Sequence, residues 1–345
     1  KPDRIARNRR ISSSSCHNHV RDTDYDSIMH QIQHDMGAKK MNRRDFLINS
    51  MITGGGLFLT KSAEAAVLSE SVTRGKYSST NEQVKLPQIG FGTMALGAST
   101  SKCVSEAVEL GYRLFDTARD YGTEREVFQG IKDSGINRKE VFITTKIGPA
   151  DMRNGVQRGA IEKSIELLGY DYIDLFLIHW PVVDKIQETW RILEEYVGAG
   201  KIKYLGLSNF NPHHIQNLMS YARVKPIVNQ LEINPYFANF GLAEYSKAIG
   251  ITAECWSPLR QAKALDDETL GSLAKKYGKS PAQIILRWEI QRGLVAIPRS
   301  SKKEHMAENI NIFDFELTPE DMQSVNALNR DERNNPRNNP DRFPW

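Results

Sequence analysis

The stretches RLFDTARDY (residues 113–121), VFITTK (141–146) and DLFLIH (174–179) decide how this chain folds. Each contains a short apolar run with strand character that stops on a reactive polar side chain: Asp116, with Tyr121 five residues on, then Lys146, then His179. Ending an apolar strand on a titratable group is costly unless that group is paired or used. Its repetition on successive strands predicts one polar site gathered at a common end of a sheet. A carboxylate, a phenol, an ammonium and an imidazole together can deliver a proton to a carbonyl oxygen.

The same alternation extends outward in both directions. Strand candidates are Ile89–Thr93, Arg113–Thr117, Val141–Lys146, Asp174–Ile178, Tyr204–Leu207, Ile227–Leu231, Thr252–Cys255 and Val295–Ile297. Helical stretches stand between them: Lys102–Leu110, Glu124–Lys132, Gly155–Leu168, Lys185–Ala199, Pro212–Tyr221, Gly241–Ile249 and Glu268–Tyr277. Eight strand–helix units over about 230 residues predict an α/β fold, a (β/α)8 TIM barrel. An open doubly wound sheet is the alternative, but GFGTMALG lacks the third glycine of a dinucleotide-binding turn at the required spacing. In a barrel the strand C-termini face one mouth. The polar residues expected there are Thr93, Asp116, Lys146, His179, Ser208, Asn209, Gln230, Trp256 and Arg299, with apolar strand interiors behind them.

The charge pattern excludes some functions. Of the formal net charge of +4, residues 1–44 carry +5 (ten Lys/Arg, five Asp/Glu), so the rest of the 345-residue chain carries −1. The basic character belongs to the N-terminal tail, and no nucleic-acid partner is expected for the globular part. Cys16, Cys103 and Cys255 have neither metal-ligand nor CxxC spacing, and the latter two read as core residues. Residues 1–40, polar with a Ser12–Ser15 run and four histidines, read as a disordered extension or as sequence upstream of the true start, Met41. Residues 41–65 place Arg43 and Arg44 before Phe46 and Leu47, then a modest apolar stretch and Ala63-Glu64-Ala65. This resembles a cleavable twin-arginine signal engaging the export machinery, too short for a stable membrane anchor. Periplasmic localisation follows as the expectation, with the cytoplasm as the alternative. Residues 66–80 read as linker, and 81–345 as the barrel with a polar C-terminal tail that either crosses the mouth or is disordered.

Within the quartet, Asp116 is the natural counter-charge for Lys146, and the lysine is expected to lower the pKa of Tyr121 toward neutrality. His179 is placed to hydrogen-bond a substrate oxygen or to assist proton transfer. The segments LPQIGFGTMALG, GYRLFDTARDYGTEREV, VFITTKI, LLGYDYIDLFLIHWP, GKIKYLGLSNF, PIVNQLEINPY, ECWSPL and IPRSSKKEHMAEN, in this order, resemble the aldo-keto reductase family over residues 82–328. The resemblance implies an NAD(P)H-dependent enzyme reducing aldehydes and ketones to alcohols. It makes Asp116, Tyr121, Lys146 and His179 the catalytic tetrad, with Tyr121 as general acid. It also implies cofactor contacts from Thr93, Ser208, Asn209, Gln230, Trp256, Ser257, Pro258, Leu259, Arg299, Ser300, His305, Glu308 and Asn309. Ser208, Asn209 and Gln230 would hold the nicotinamide carboxamide, with Trp256 stacked on the ring. Two positions depart from the family pattern. Arg299 replaces a lysine. His305 replaces the arginine that grips the ribose 2′-phosphate, so NADPH is expected first and NADH stands as the alternative. Met94 and Trp180 are expected to line a pocket for small aldehydes and ketones, dicarbonyls included, in a monomer that holds no metal. The alternatives are a nucleotide-binding redox-sensing or regulatory barrel with little turnover, and a non-enzymatic exported binding protein.

Overall fold

The structure, a computed structural model, describes Val84 and residues 86–342. The extension (1–40), the export-signal segment (41–65) with Arg43 and Arg44, and the linker (66–80) lie outside the described residues. The runs rich in Val, Ile, Leu and Phe form eight strands: β1 (Phe91–Gly92), β2 (Leu114–Asp116), β3 (Phe142–Ile147), β4 (Ile173–Ile178), β5 (Ile202–Ser208), β6 (Val228–Glu232), β7 (Thr252–Trp256) and β8 (Val295–Ile297). All neighbours pair in parallel and in sequence order. The ring closes where Ile89 bridges Ala296 and the Gly92 N–H donates to Pro298 O at 3.0 Å. The architecture is the (β/α)8 barrel, and the predicted strand limits differ from the observed ones by at most two residues.

Parallel strands need long crossovers, and helices supply them. These are α1 (Thr100–Glu109), α2 (Glu124–Asp133), α3 (Pro149–Arg153), α4 (Gln157–Leu168), α5 (Ile186–Gly198), α6 (Pro212–Met219), α7 (Phe240–Ala248), α8 (Glu268–Tyr277), α9 (Pro281–Gln291), α10 (Lys303–Ile310) and α11 (Pro319–Asn326). Helix α9 begins on a capping box, in which Ser280 Oγ accepts from Gln283 N and Gln283 Oε1 accepts from Ser280 N. Ala282 through Ile290 are all buried, so α9 has no polar face to announce it in the sequence. None of the described helices is long and apolar enough to cross a membrane.

The core has two principal regions. Between strands and helices, Leu231, Cys255, Leu270, Ile284, Ile285 and Trp288 belong to one apolar cluster. At the N-terminal end of the barrel, Val84 and Leu86 pack on Leu114, Leu175, Val228 and Val295 and plug it. Packing there is tight: a Cβ on Gly206 would fall 2.5 Å from Leu177 Cδ2. Cys103 and Cys255 are buried and unpaired, as their apolar settings predict.

The expectation of apolar strand interiors needs correction. Thr144, Thr145, Asn229, Gln230, Glu232 and Glu254 are buried strand residues. Most find hydrogen-bond partners, largely in the helices and loops that follow the strands, as when Thr145 donates to Glu124 Oε1 and Asn229 exchanges two bonds with the backbone of Phe210. The register sets Ser208, Gln230 and Glu254 side by side, and Gly92, Asp116 and Thr144 likewise. A polar layer therefore fills the barrel toward its C-terminal mouth.

Candidate active site

Strand β2 delivers Asp116, and a single 3-10 turn over Arg119–Tyr121, closed by left-handed Gly122 (φ 64°), carries the chain to Tyr121. Lys146, near the end of β3, is wholly buried. Its Nζ donates to Asp116 Oδ1 and Oδ2 (2.7 and 2.8 Å), to Thr117 O (2.9 Å) and to Tyr121 Oη (3.4 Å). Asp116 Oδ2 also accepts from Gln230 Nε2 at 2.8 Å. Burial opposes the lysine's charge, but Asp116, Tyr121 and the hydrogen bond to Asp116 prevail and raise its pKa. Lys146 is a fixed cation under the phenol. Because it donates into Tyr121 Oη, the Tyr121 hydroxyl hydrogen is left to point elsewhere.

The structure corrects the expected pKa of Tyr121. Burial pushes the phenol upward, Lys146 pulls it down, Asp116 pushes up again, and the net direction is upward. Tyr121 therefore holds its proton throughout the neutral range, which is the state a proton donor requires.

His179 follows β4 directly, its N–H donating to Ile147 O at 3.1 Å. Its ring meets that of Tyr121 edge-on, centroids 5.8 Å apart. Nδ1 lies 3.2 Å from Asp120 Oδ2. Burial depresses the imidazole pKa more than Asp120 raises it, so His179 is neutral at neutral pH. The contact with His179 in turn keeps Asp120 ionised by lowering its pKa.

A cavity of about 680 Å³ opens over these groups, within the range of small-molecule sites. Asp116, Tyr121 and His179 line it, with Met94 and Trp180 from the loops after β1 and β4. Ser208, Asn209, Gln230 and Trp256 line it from the ends of β5, β6 and β7. Ser257, Pro258 and Leu259 come from the loop after β7, Arg299 and Ser300 from the loop after β8, and His305, Glu308 and Asn309 from α10. Two expected site residues are placed below the surface. Lys146 reaches the cavity through Tyr121. Thr93 is wholly buried and spends its hydroxyl on Asp116 O (2.9 Å) and Thr123 Oγ1 (3.2 Å).

Asn209 ties several strand ends together. It adopts a left-handed backbone (φ 63°), donates from Nδ2 to Ser208 Oγ (3.0 Å) and His179 O (3.1 Å), and accepts from Trp256 Nε1 (2.9 Å). Trp256 is thereby anchored at the cavity wall. A cavity with an anchored indole, amides and a hydroxyl at the strand ends, and Arg299 on the wall has the donor set for a nicotinamide dinucleotide. Ser257, Arg260, Gln261 and Ala262, four non-glycine residues with φ between 48° and 70°, form the rim after β7. Backbone strain of this kind concentrates at ligand sites.

Several site features are left open or unassigned by the sequence. The C-terminal tail crosses the mouth, and Asn334, Asn335 and Asn338 line the cavity. It is anchored by the Arg260–Glu332 ion pair, by Arg330 N and Glu332 N donating to Tyr236 O (3.0 and 3.1 Å), and by Asp341. Asp341 accepts from Asn211 Nδ2 (2.9 Å) and lies 3.1 Å from His213 Nε2. Glu254, buried beside Gln230, has one oxygen without a partner, and the other is 3.4 Å from Gln230 Nε2. Burial and the charge of Asp116 push its pKa up to about 8, against the pull of Lys146. A carboxylate in the apolar run TAECW was itself the signal. Asp120 carried none, because its partner lies 59 residues away.

Comparison with known proteins agrees with this geometry. Residues 88–330 match the aldo/keto reductase family. The glyoxal reductase of Bacillus subtilis is 46% identical over 260 residues, covering 75% of this chain and 94% of that protein. The methylglyoxal reductase DkgA of Escherichia coli O157:H7 is 38% identical over 263 residues, covering 75% and 94%. Among solved structures, an aldo-keto reductase from a Medee basin deep-sea metagenome library superposes with a TM-score of 0.71 at 40% identity, over 73% of this chain and 95% of that one. A Bombyx mori aldo-keto reductase in complex with NADP does so at 0.69 and 34% identity, over 74% and 92%.

Proposed function

The chain belongs to the aldo/keto reductase family, and on that footing we propose that it is a monomeric NADPH-dependent reductase of small aldehydes and ketones with Tyr121 as its general acid. The observation that carries this reading is the hydrogen-bonded line from Asp116 through Lys146 to Tyr121 at the wall of the cavity. Trp256, Ser208, Asn209 and the Arg299 loop would hold a nicotinamide dinucleotide, which would supply the hydride for the carbonyl carbon.

The chain's own residues do the rest. As the carbonyl carbon gains hydride, negative charge grows on its oxygen, and Tyr121 gives that oxygen its proton. An alcohol is a weaker acid than a phenol, so this transfer runs downhill even with the Tyr121 pKa raised. The phenolate left behind faces Lys146 Nζ at 3.4 Å, which stabilises it. Asp116 holds the ammonium in place, and Gln230 holds Asp116. Trp180 and Met94 provide the apolar wall against which a small carbonyl compound packs. The names of two relatives, for glyoxal and methylglyoxal, favour small dicarbonyls within that class.

The test is a carbonyl panel with NADPH and NADH, following loss of the reduced nicotinamide absorbance. Tyr121→Phe is expected to lower turnover by at least about 100-fold while nucleotide fluorescence titrations are retained. Unchanged turnover in that variant, or no reduction of any carbonyl by the wild type, would sink the proposal.

A further inference from the structure

The hydrogen bond between Asp120 and His179 settles which ring nitrogen of His179 carries the proton. Asp120 is ionised, and an ionised carboxylate only accepts, so His179 Nδ1 must be the donor across the 3.2 Å contact. A neutral imidazole has one N–H, so Nε2 is left as a lone pair. His179 lines the cavity beside Tyr121, and its other ring nitrogen is committed to Asp120.

The fold makes room for this pairing. Gly148, just after β3, faces the Asp120 carboxylate so closely that a Cβ there would lie 2.3 Å from both Oδ1 and Oδ2. Gly148 has φ −82° and ψ 160°, a conformation open to any residue, so backbone freedom is not what glycine provides here. It provides space for Asp120. The other charged or titratable groups facing His179 are Tyr121, Asp116 and Lys146. Tyr121 keeps its proton, and Asp116 and Lys146 are bonded to one another.

We propose that Asp120 is a positioning residue that presents His179 Nε2 to the cavity as a hydrogen-bond acceptor, and that the site thereby selects carbonyl compounds bearing a hydroxyl beside the carbonyl. This rests on the carbonyl-reductase reading. Tyr121 donates to the reacting oxygen, and Nε2 accepts from the neighbouring hydroxyl. A 2-hydroxy ketone meets this requirement, and so does the monohydrate of a 1,2-dicarbonyl. A plain ketone leaves Nε2 facing a methylene, and a site built for a hydroxyl rejects an analogue that lacks one.

Hydroxyacetone and butanone are nearly isosteric and differ by that hydroxyl. In wild type, kcat/KM at pH 7.5 is expected to favour hydroxyacetone by at least about tenfold. In Asp120→Asn the amide can donate to Nδ1 and reverse the tautomer, so the ratio is expected to fall about tenfold. Gly148→Ala displaces the carboxylate without altering either chemical group and is expected to give the same fall. Nitrogen-15 NMR of wild type is expected to show His179 with Nδ1 protonated and Nε2 unprotonated. Asp120→Asn is expected to exchange the two. An Nε2–H tautomer in wild type, or a substrate ratio unchanged in both variants, overturns the proposal. If neither ketone nor any other carbonyl is reduced, the enzymatic reading and the selectivity fall together, and the NMR result still decides whether Asp120 sets the tautomer.

Discussion

Lys146 and Glu254 are two buried ionisable groups in one polar layer, and their environments drive them to opposite charge states. Lys146 is kept charged by Asp116, and deleting it would strand a buried carboxylate. Lys146→Met is therefore expected to cost about 3–5 kcal/mol in urea unfolding as well as activity. Tyr121→Phe, which removes no charge, should cost activity with stability changed by less than about 1 kcal/mol. Equal stability losses in the two variants would argue against the ion pair as the support. Glu254 is kept neutral, its pKa about 8 in the fold against an ordinary value near 4.5. The folded state binds more protons than the unfolded one between these values, so this site's contribution to stability declines as pH rises from about 4.5 to 8. Glu254→Gln removes the titration. The variant's unfolding free energy in urea, relative to wild type, should rise steadily over that window and then level, by an amount on the order of 5 kcal/mol. A difference independent of pH would show that Glu254 does not titrate in that window. Asp116, Lys146 and His179 were legible because each stops an apolar run, and Tyr121 because it follows Asp116 by five residues. The net pKa of Tyr121 was not, because burial depends on the whole barrel.

Elements were legible to the degree that their faces differ. The eight strands stand out as apolar runs, and α8 stands out from its period and from Asp267 as N-cap. Helix α9 is buried all round, so no exposed polar face marks its period, although Ser280-Pro281 and Gln283 signal its start. The tail was ambiguous for a different reason. Its polar, proline-containing composition suits either disorder or a strap, and only its partners decide. Those partners are Arg260 and Tyr236 on one side and Asn211 with His213 on the other. Glu332→Gln combined with Asp341→Asn should loosen both anchors while leaving Tyr121 and Lys146 undisturbed. KM for carbonyl substrates is expected to rise by about threefold or more with kcat little changed, as read from steady-state kinetics. A fall in kcat at constant KM would mean that the tail shapes the reacting groups and does not simply wall the cavity.

At the scale of the molecule, the sequence divides into a basic N-terminal region and a barrel of balanced charge, and each makes its own prediction. The export proposal belongs to Arg43 and Arg44, outside the described residues. Replacing both with lysine should retain the protein in the cytoplasm on fractionation, and an unchanged distribution would remove the proposal. The barrel's prediction concerns nucleotide choice. A ligand that binds only the folded protein stabilises it by about 2.7 kcal/mol at a hundred times its dissociation constant, which in a domain of this size raises the melting temperature by roughly 5–10 °C. NADPH is expected to give the larger rise, because Arg299 lies on the cavity wall and its guanidinium can hold a phosphate in two hydrogen bonds. His305, on α10 and also lining the cavity, offers one imidazole where a second guanidinium would bind a dianion with more hydrogen bonds. His305→Arg should therefore widen the gap between NADPH and NADH by about tenfold in dissociation constant, and the gain should shrink as salt rises. Equal tightening of both nucleotides would place His305 away from the 2′-phosphate, and the preference would then have to be sought in Arg299 and Ser300 alone.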